Sequence, residues 1–134
     1  MTGKDYPKWY SHTKENHQKY IEALEQLGEV VRKQGPLDEK TSHLIQLAAA
    51  AAIRSEGAVH SHVRRAIKAG AKPEEIHHAI ILLTSTIGFP GTSAALSWVY
   101  DELEGKKLSS RHLPTSKAKS SKKEVKAKAG KRKG

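Results

Sequence analysis

The chain has 134 residues, no cysteine, and 24 Lys and Arg against 14 Asp and Glu, for a net charge of +10. This length suits one domain, and the missing thiols exclude disulfides, thiolate metal sites and any dithiol redox cycle. Residues 106 to 134 carry twelve of the bases and only Glu124 among the acids, a net of +11, which leaves twelve bases and thirteen acids, a net of −1, before them. The basic character thus belongs to the tail, and the remainder has no strong field of its own.

The opening stretch, MTGKDYPKWYSH, lacks the apolar core of a signal peptide. The longest apolar run, Leu47 to Ile53, falls far short of the ~18 residues of a membrane span. A soluble, cytoplasmic protein with no membrane partner is expected. Apolar residues at Tyr20, Ile21, Leu24, Leu27, Val30 and Val31 recur at three and four and predict a first amphipathic helix that stops at Gly35-Pro36. Asp38 is a credible N-cap for a second helix, EKTSHLIQLAAAAAI, whose five successive alanines suit either close backbone approach or simply high helix propensity.

A third helix is predicted through HSHVRRAIKAG, ending at Gly70. The fourth opens on Pro73, with Glu74 and Glu75 at the positive end of its dipole, and carries Ile76, Ala79, Ile80 and Leu83 on one face. After the IGFPG break, TSAALSWVYDELEG predicts a fifth helix with Thr92 or Ser93 as cap and Gly105 as stop. No segment reads as a strand, so the expected architecture is an all-α domain of about five helices over residues 1 to 105. A helical domain this small leaves apolar surface that self-association often covers. Residues 106 to 134 hold Lys, Ala, Ser and Gly with few large apolar side chains, so this Lys-rich tail is expected to be disordered when free.

The segment GPLDEKTSHLIQLAAAAAIRSEGAVHSHVRRAIKAGAKPEEIHHAIILLTSTIGFPG resembles the carboxymuconolactone decarboxylase and alkylhydroperoxidase-D-like (AhpD-like) superfamily. The resemblance covers roughly residues 6 to 104, and GPLDEKT, HVRRAIKAGAKPEEI and GFPG carry most of it. It implies a small all-α protein assembled as a homo-oligomer, trimer or hexamer. In the peroxidase-like branch a glutamate is followed by a Cys-x-x-Cys pair and then a histidine. By position these fall on His43, on Ser55 and Ala58, and on His62. Only the histidine is retained. A serine hydroxyl does not substitute for the peroxide-attacking thiolate, and alanine has no chemistry, so Cys-dependent peroxidase activity is excluded. The decarboxylase branch does without the cysteines and needs no cofactor. What it implies is proton transfer near a carboxylate, in a pocket at or near a subunit interface, with His62 as catalytic group and His43 in support.

Other residues are open to two readings. His60 is either a solvated residue beside Arg64 or part of the pocket lining. Ser55, by its family position, is a candidate substrate contact, although no strained elbow supports a serine nucleophile. Arg64, Arg65 and Lys68 make a basic stripe that is either a wet face or a carboxylate partner. His77 and His78 follow Glu74 and Glu75 at helical spacing, which side-chain pairing explains. The two histidines of HSH splay on a helix, so no metal site is expected. Two functions compete: a cofactor-free decarboxylase-like or isomerase-like enzyme on a small organic acid, and a non-catalytic oligomeric scaffold. In the second, Lys122, Lys123, Lys126, Lys128, Lys131, Arg132 and Lys133 bind nucleic acid or another polyanion without reading sequence.

Overall fold

Local capping chemistry sets most of the helix boundaries in the computed structural model, which describes residues 6 to 110. Among these residues lie seven helices and no strand: α1 (Lys8–Asn16), α2 (Gln18–Arg32), α3 (Glu39–Ala52), α4 (Glu56–Lys68), α5 (Pro73–Ile81), α6 (Thr84–Ile87) and α7 (Phe89–Ser110). The protein is all-α, as expected. The tail residues Lys122, Lys123, Lys126, Lys128, Lys131, Arg132 and Lys133 lie outside the described residues. No helix among the described residues is long and apolar enough to cross a membrane.

Asp38 caps α3 as its sequence suggests, accepting a hydrogen bond from the Thr41 amide at 2.7 Å. Ala50 and Ala51, from the alanine run, are buried in the core where α3 packs most extensively against α4. Between these helices the chain turns through Arg54, the only non-glycine residue with positive φ (57°) among those described, and the Ser55 amide reaches back to the Ala50 carbonyl at 3.0 Å. The six-to-one bond normally goes with glycine at the left-handed position. The stop of α4 follows that pattern: Gly70 has φ 97° and the Ala71 amide bonds the Ala66 carbonyl at 2.9 Å. At the start of α5, Pro73 takes the first position while the Glu75 carboxylate accepts from the Lys72 amide at 2.8 Å.

Four boundaries differ from expectation. The short helix α1 carries no apolar stripe and buries no residue, so periodicity did not reveal it. Helix α4 begins at Glu56, ahead of His60, with Ser55 at its cap position. Four residues of α6 close the link before Gly88, which has φ 83°. Finally, α7 starts at Phe89 because Pro90 fits the first turn, where its missing amide proton has no partner to lose. Thr92 is therefore not a cap: it is buried inside the helix, with its hydroxyl donating to the Gly88 carbonyl at 3.0 Å. Nor is Gly105 a stop, since α7 runs through it to Ser110; glycine in a helix interior costs only about 1 kcal/mol relative to alanine.

Leu47, Val59, Val63, Ile76, Ile80, Ala95 and Val99 form the core of a body made by α3, α4, α5 and α7. The hairpin of α1 and α2 stands outside it and buries only Ile21. Tyr20, Leu24, Leu27, Val30 and Val31, the expected apolar stripe of α2, stay about half exposed. The cavities that matter lie between hairpin and body.

Candidate functional site

His43 stands on the first half of α3 and His62 in the middle of α4, the two helices in most intimate contact. Their rings face one another with centroids 6.1 Å apart and planes inclined by 41°. A ring nitrogen sits little more than 1 Å from its centroid, so at this separation the imidazoles do not bond directly. The gap has the length that one bridging hydroxyl or water would need. His43 is only 3 % exposed. The Nδ1 atoms of both rings are buried without a hydrogen-bond partner among the described residues, as is Oε1 of Gln46, one turn beyond His43. Unsatisfied polar atoms are rare in interiors and cluster where a ligand or water belongs.

The electrostatic setting keeps both rings uncharged. Burial, reinforced by Arg65, by His43 and by Arg32, pushes His62 down to about 4. Burial likewise lowers His43, with Arg32 and Arg65 adding to it and Glu39 opposing. Desolvation disfavours the imidazolium, and two nearby guanidinium groups disfavour it further. The nearest carboxylate, Glu39, lies 3.9 Å from His43 Nε2 but is largely in solvent.

His43 lines a cavity of about 380 Å³ with Tyr6, Glu25, Arg32, Glu39, Arg65 and Lys68. Ser55, Ala58, His60 and Arg64 do not; they line a neighbouring cavity of about 620 Å³ under the aromatic cluster of α1. There Tyr6 stacks on Tyr10 at 4.9 Å, and Trp9 meets Tyr10 edge-on at 5.6 Å. Tyr6 and Arg65 border both cavities. The structure thus brings His43 and His62 together and separates them from the other candidates.

His60 is not a solvated residue. Its Nδ1 lies 2.9 Å from Glu102 Oε2, which also accepts from Arg64 Nη1 at 3.1 Å. Arg64 therefore already holds a carboxylate, one contributed by α7. The stripe splits between its two arginines: Arg64 is an internal ion-pair partner, and Arg65 faces the histidines. His77 differs too, donating from Nδ1 to the Pro73 carbonyl at 2.8 Å rather than pairing with a glutamate. Among the described residues, no group of three or more His, Asp or Glu side chains converges as metal ligands would.

Sequence reasoning missed Arg32, Glu25 and Glu102. Arg65 was recoverable: it is three residues after His62 and seven after Ala58, hence on their face of α4. Nothing in the local sequence marks Arg32, which looks like an ordinary cation at a helix C-terminus.

The family model described as the carboxymuconolactone decarboxylase family matches residues 18 to 101, from the start of α2 into α7. No curated protein gives a significant match. With well over half its length matched, including both histidine-bearing helices and the helix that brings Arg32, the chain belongs to the carboxymuconolactone decarboxylase family.

Proposed function

We propose that the protein is a cofactor-free enzyme that moves a proton on a small organic acid, in a decarboxylation or an isomerisation, with His62 as proton carrier and His43 beside it. The observation that carries this reading is the pair of neighbouring imidazoles, centroids 6.1 Å apart, whose buried Nδ1 atoms have no hydrogen-bond partner among the described residues. A neutral imidazole accepts protons, so His62 enters the reaction as the base and returns the proton to product. His43 occupies the place of the family glutamate and supplies a second neutral proton acceptor. The dithiol peroxidase cycle has no place in this reading, because the chain contains no cysteine.

The test is to screen lactones and keto acids for carbon dioxide release or isomerisation, then compare variants on whichever acid reacts. His62→Ala should lower turnover by ~10²- to 10⁴-fold, the usual contribution of a positioned acid or base. His60→Ala, whose ring is engaged with Glu102, should matter far less. A fully active His62→Ala protein rules the assignment out. In the same reading the protein acts as a homo-oligomer, trimer or hexamer, and the half-exposed apolar stripe of α2 supports this.

A second reading rests on the division of charge, +11 in residues 106 to 134 against −1 before them. A scaffold whose tail binds nucleic acid by counterion release would show affinity that ignores sequence and falls steeply with salt. Its test is a salt titration on duplex DNA of the full chain against one ending at Ser110. Full-length protein already unbound at physiological ionic strength and micromolar concentration removes this reading, even for an oligomer presenting several tails.

A further inference from the structure

Arg32 at the end of α2 and Arg65 on α4 both border the His43 cavity, one from the hairpin and one from the body. Both are partly buried, and neither forms an ion pair within 4 Å among the described residues. Lys68 also lines the cavity without an ion pair among the described residues, but it is exposed to solvent, whereas other partly buried cations nearby are matched. Lys14 takes Glu25 at 3.0 Å, Lys40 takes Glu75 at 3.0 Å, and Arg64 takes Glu102. The cavity thus joins two half-buried guanidinium groups that have no carboxylate within 4 Å to His43, whose ring neighbours His62, and its three cations outnumber the carboxylates of Glu25 and Glu39.

We propose that Arg32 and Arg65 clamp one small carboxylate-bearing anion in this cavity, and that its arrival brings a proton onto the His43–His62 pair and fastens α2 to α4. Every charged or titratable group that lines the cavity beside His43 fits this account. From α2 come Arg32 and Glu25, from α3 Glu39, from α4 Arg65 and Lys68, and from the chain before α1 Tyr6. Glu25 does not neutralise the arginines because Lys14 and the Tyr10 hydroxyl already hold it, the latter at 2.9 Å. Glu39 is mostly in solvent. With the cavity empty, the guanidinium groups oppose protonation of the imidazoles; an anion between them cancels that field and accepts a hydrogen bond from the new N–H. Anion binding and proton uptake then reinforce one another, and affinity rises as pH falls from 7.5 toward 5.5.

The inference rests on the proton-transfer reading for what the anion does once bound, so its test measures binding separately from turnover. Full-length protein is titrated calorimetrically with malonate at pH 7 in two buffers of different protonation enthalpy. A second series uses sulfate, which does not titrate in this range, from pH 7.5 to 5.5. The expected result is saturable binding with net proton uptake. Arg32→Gln and Arg65→Gln should each bind roughly 10-fold or more weakly, with Arg65→Lys in between because it keeps the charge and loses the fork. Whatever persists in the double Arg→Gln variant belongs to the basic tail. A His43→Gln/His62→Gln protein should still bind but take up no proton. Absence of saturable binding, parent-like affinity in both Arg→Gln variants, or proton uptake that survives the double His variant overturns the clamp. If no acid is turned over while proton-linked binding persists, the enzyme assignment falls and the clamp stands. If turnover survives both Arg→Gln changes with an unchanged KM, the clamp falls and the enzyme stands.

Discussion

The body of α3, α4, α5 and α7 and the hairpin of α1 and α2 are held by different forces. The body closes on fully buried Leu47, Val59, Val63, Ile76, Ile80 and Val99, so its stability comes from apolar area removed from water. The hairpin buries Ile21 alone and is braced by aromatic stacking and by Glu25, which gathers the Tyr10 hydroxyl and the Lys14 ammonium. Yet the hairpin and the residues just before it deliver Arg32 and Tyr6 to the cavity that His43 lines. In the proposed reading, a weakly docked element completes the site of a firmly packed one, so a ligand would enter and be held without disturbing the core.

The sharpest way to break this contrast is to truncate one leucine in each region. Leu47→Ala, at a position with no exposure, should cost about 2 to 5 kcal/mol through lost transfer energy and the cavity left behind. Leu27→Ala, on the open face of α2, should cost less than about 1 kcal/mol in a monomer. Urea unfolding of the two variants checks this, and equal losses would mean that the α2 stripe is buried as deeply as the core.

The second test uses pH. His62 titrates near 6.5 when unfolded and about 4 when folded. Between those values the unfolded chain binds more protons, so stability is complete above about pH 6.5 and is lost as pH falls toward 4. The ceiling is roughly 3 kcal/mol, and nearer half that once solvent screening at the partly open ring is counted. His62→Gln should flatten this limb of the profile. The loss belongs to the body, so the hairpin variants Tyr10→Phe and Leu27→Ala should keep the parent's slope. An acid limb unchanged in His62→Gln would show that the ring is solvated rather than buried beside Arg65.

The two regions also differ in how legible they were. In the body the legible parts are devices that act within a few residues, namely the Asp38 cap, the Gly70 turn, Pro73 at a first turn, and the three-and-four spacing of Ile76, Ala79, Ile80 and Leu83, whereas the starts of α4 and α7 and the short α6 were not foreseen. The hairpin was half read. The α2 stripe is plain in sequence, but α1 has only the adjacent Trp9 and Tyr10 and no repeat at three or four, and it owes its place to contacts with residues eleven and fifteen positions away. Of the site, His62 was legible through its position in a recognised motif, and its partnership with His43 followed from the same alignment. Arg65 could be placed on the His62 face by its spacing, because adjacent residues point about 100° apart on a helix, but the pairing of Arg64 with Glu102 of α7 could not, since it joins residues far apart in sequence.

Self-association is the third test, and it sharpens the contrast by asking what covers the hairpin. If copies of the chain pack on the stripe of Tyr20, Leu24, Leu27 and Val31, Leu24→Glu or Leu27→Glu should shift sedimentation of full-length protein toward the monomer while leaving the unfolding of the body nearly unchanged. A monomeric parent protein would remove the oligomer from the proposal. Assembly that tolerates both glutamates would move the interface to another apolar surface, such as the groove lined by Leu44, Ile45, Ala48, Ala79 and Leu82.

The smallest effect belongs to the brace itself. Tyr10 is partly buried, and burial together with its bond to Glu25 raises its hydroxyl to about 12, so it stays a donor at every pH at which the protein would be studied. Glu25 is held below its ordinary range chiefly by the Lys14 hydrogen bond, with burial opposing and Tyr10 assisting. Tyr10→Phe preserves the stacking on Tyr6 and removes only the donor, so its cost to global stability should be below about 1 kcal/mol. The local consequence is larger than the global one, because α1 has no buried residue to hold it in place of that bond. Amide exchange in α1 should therefore quicken in Tyr10→Phe while exchange at Val59, Val63 and Val99 stays at the parent rate. Exchange that quickens equally in both regions would mean that hairpin and body open as one unit, and the separation drawn between them would not hold.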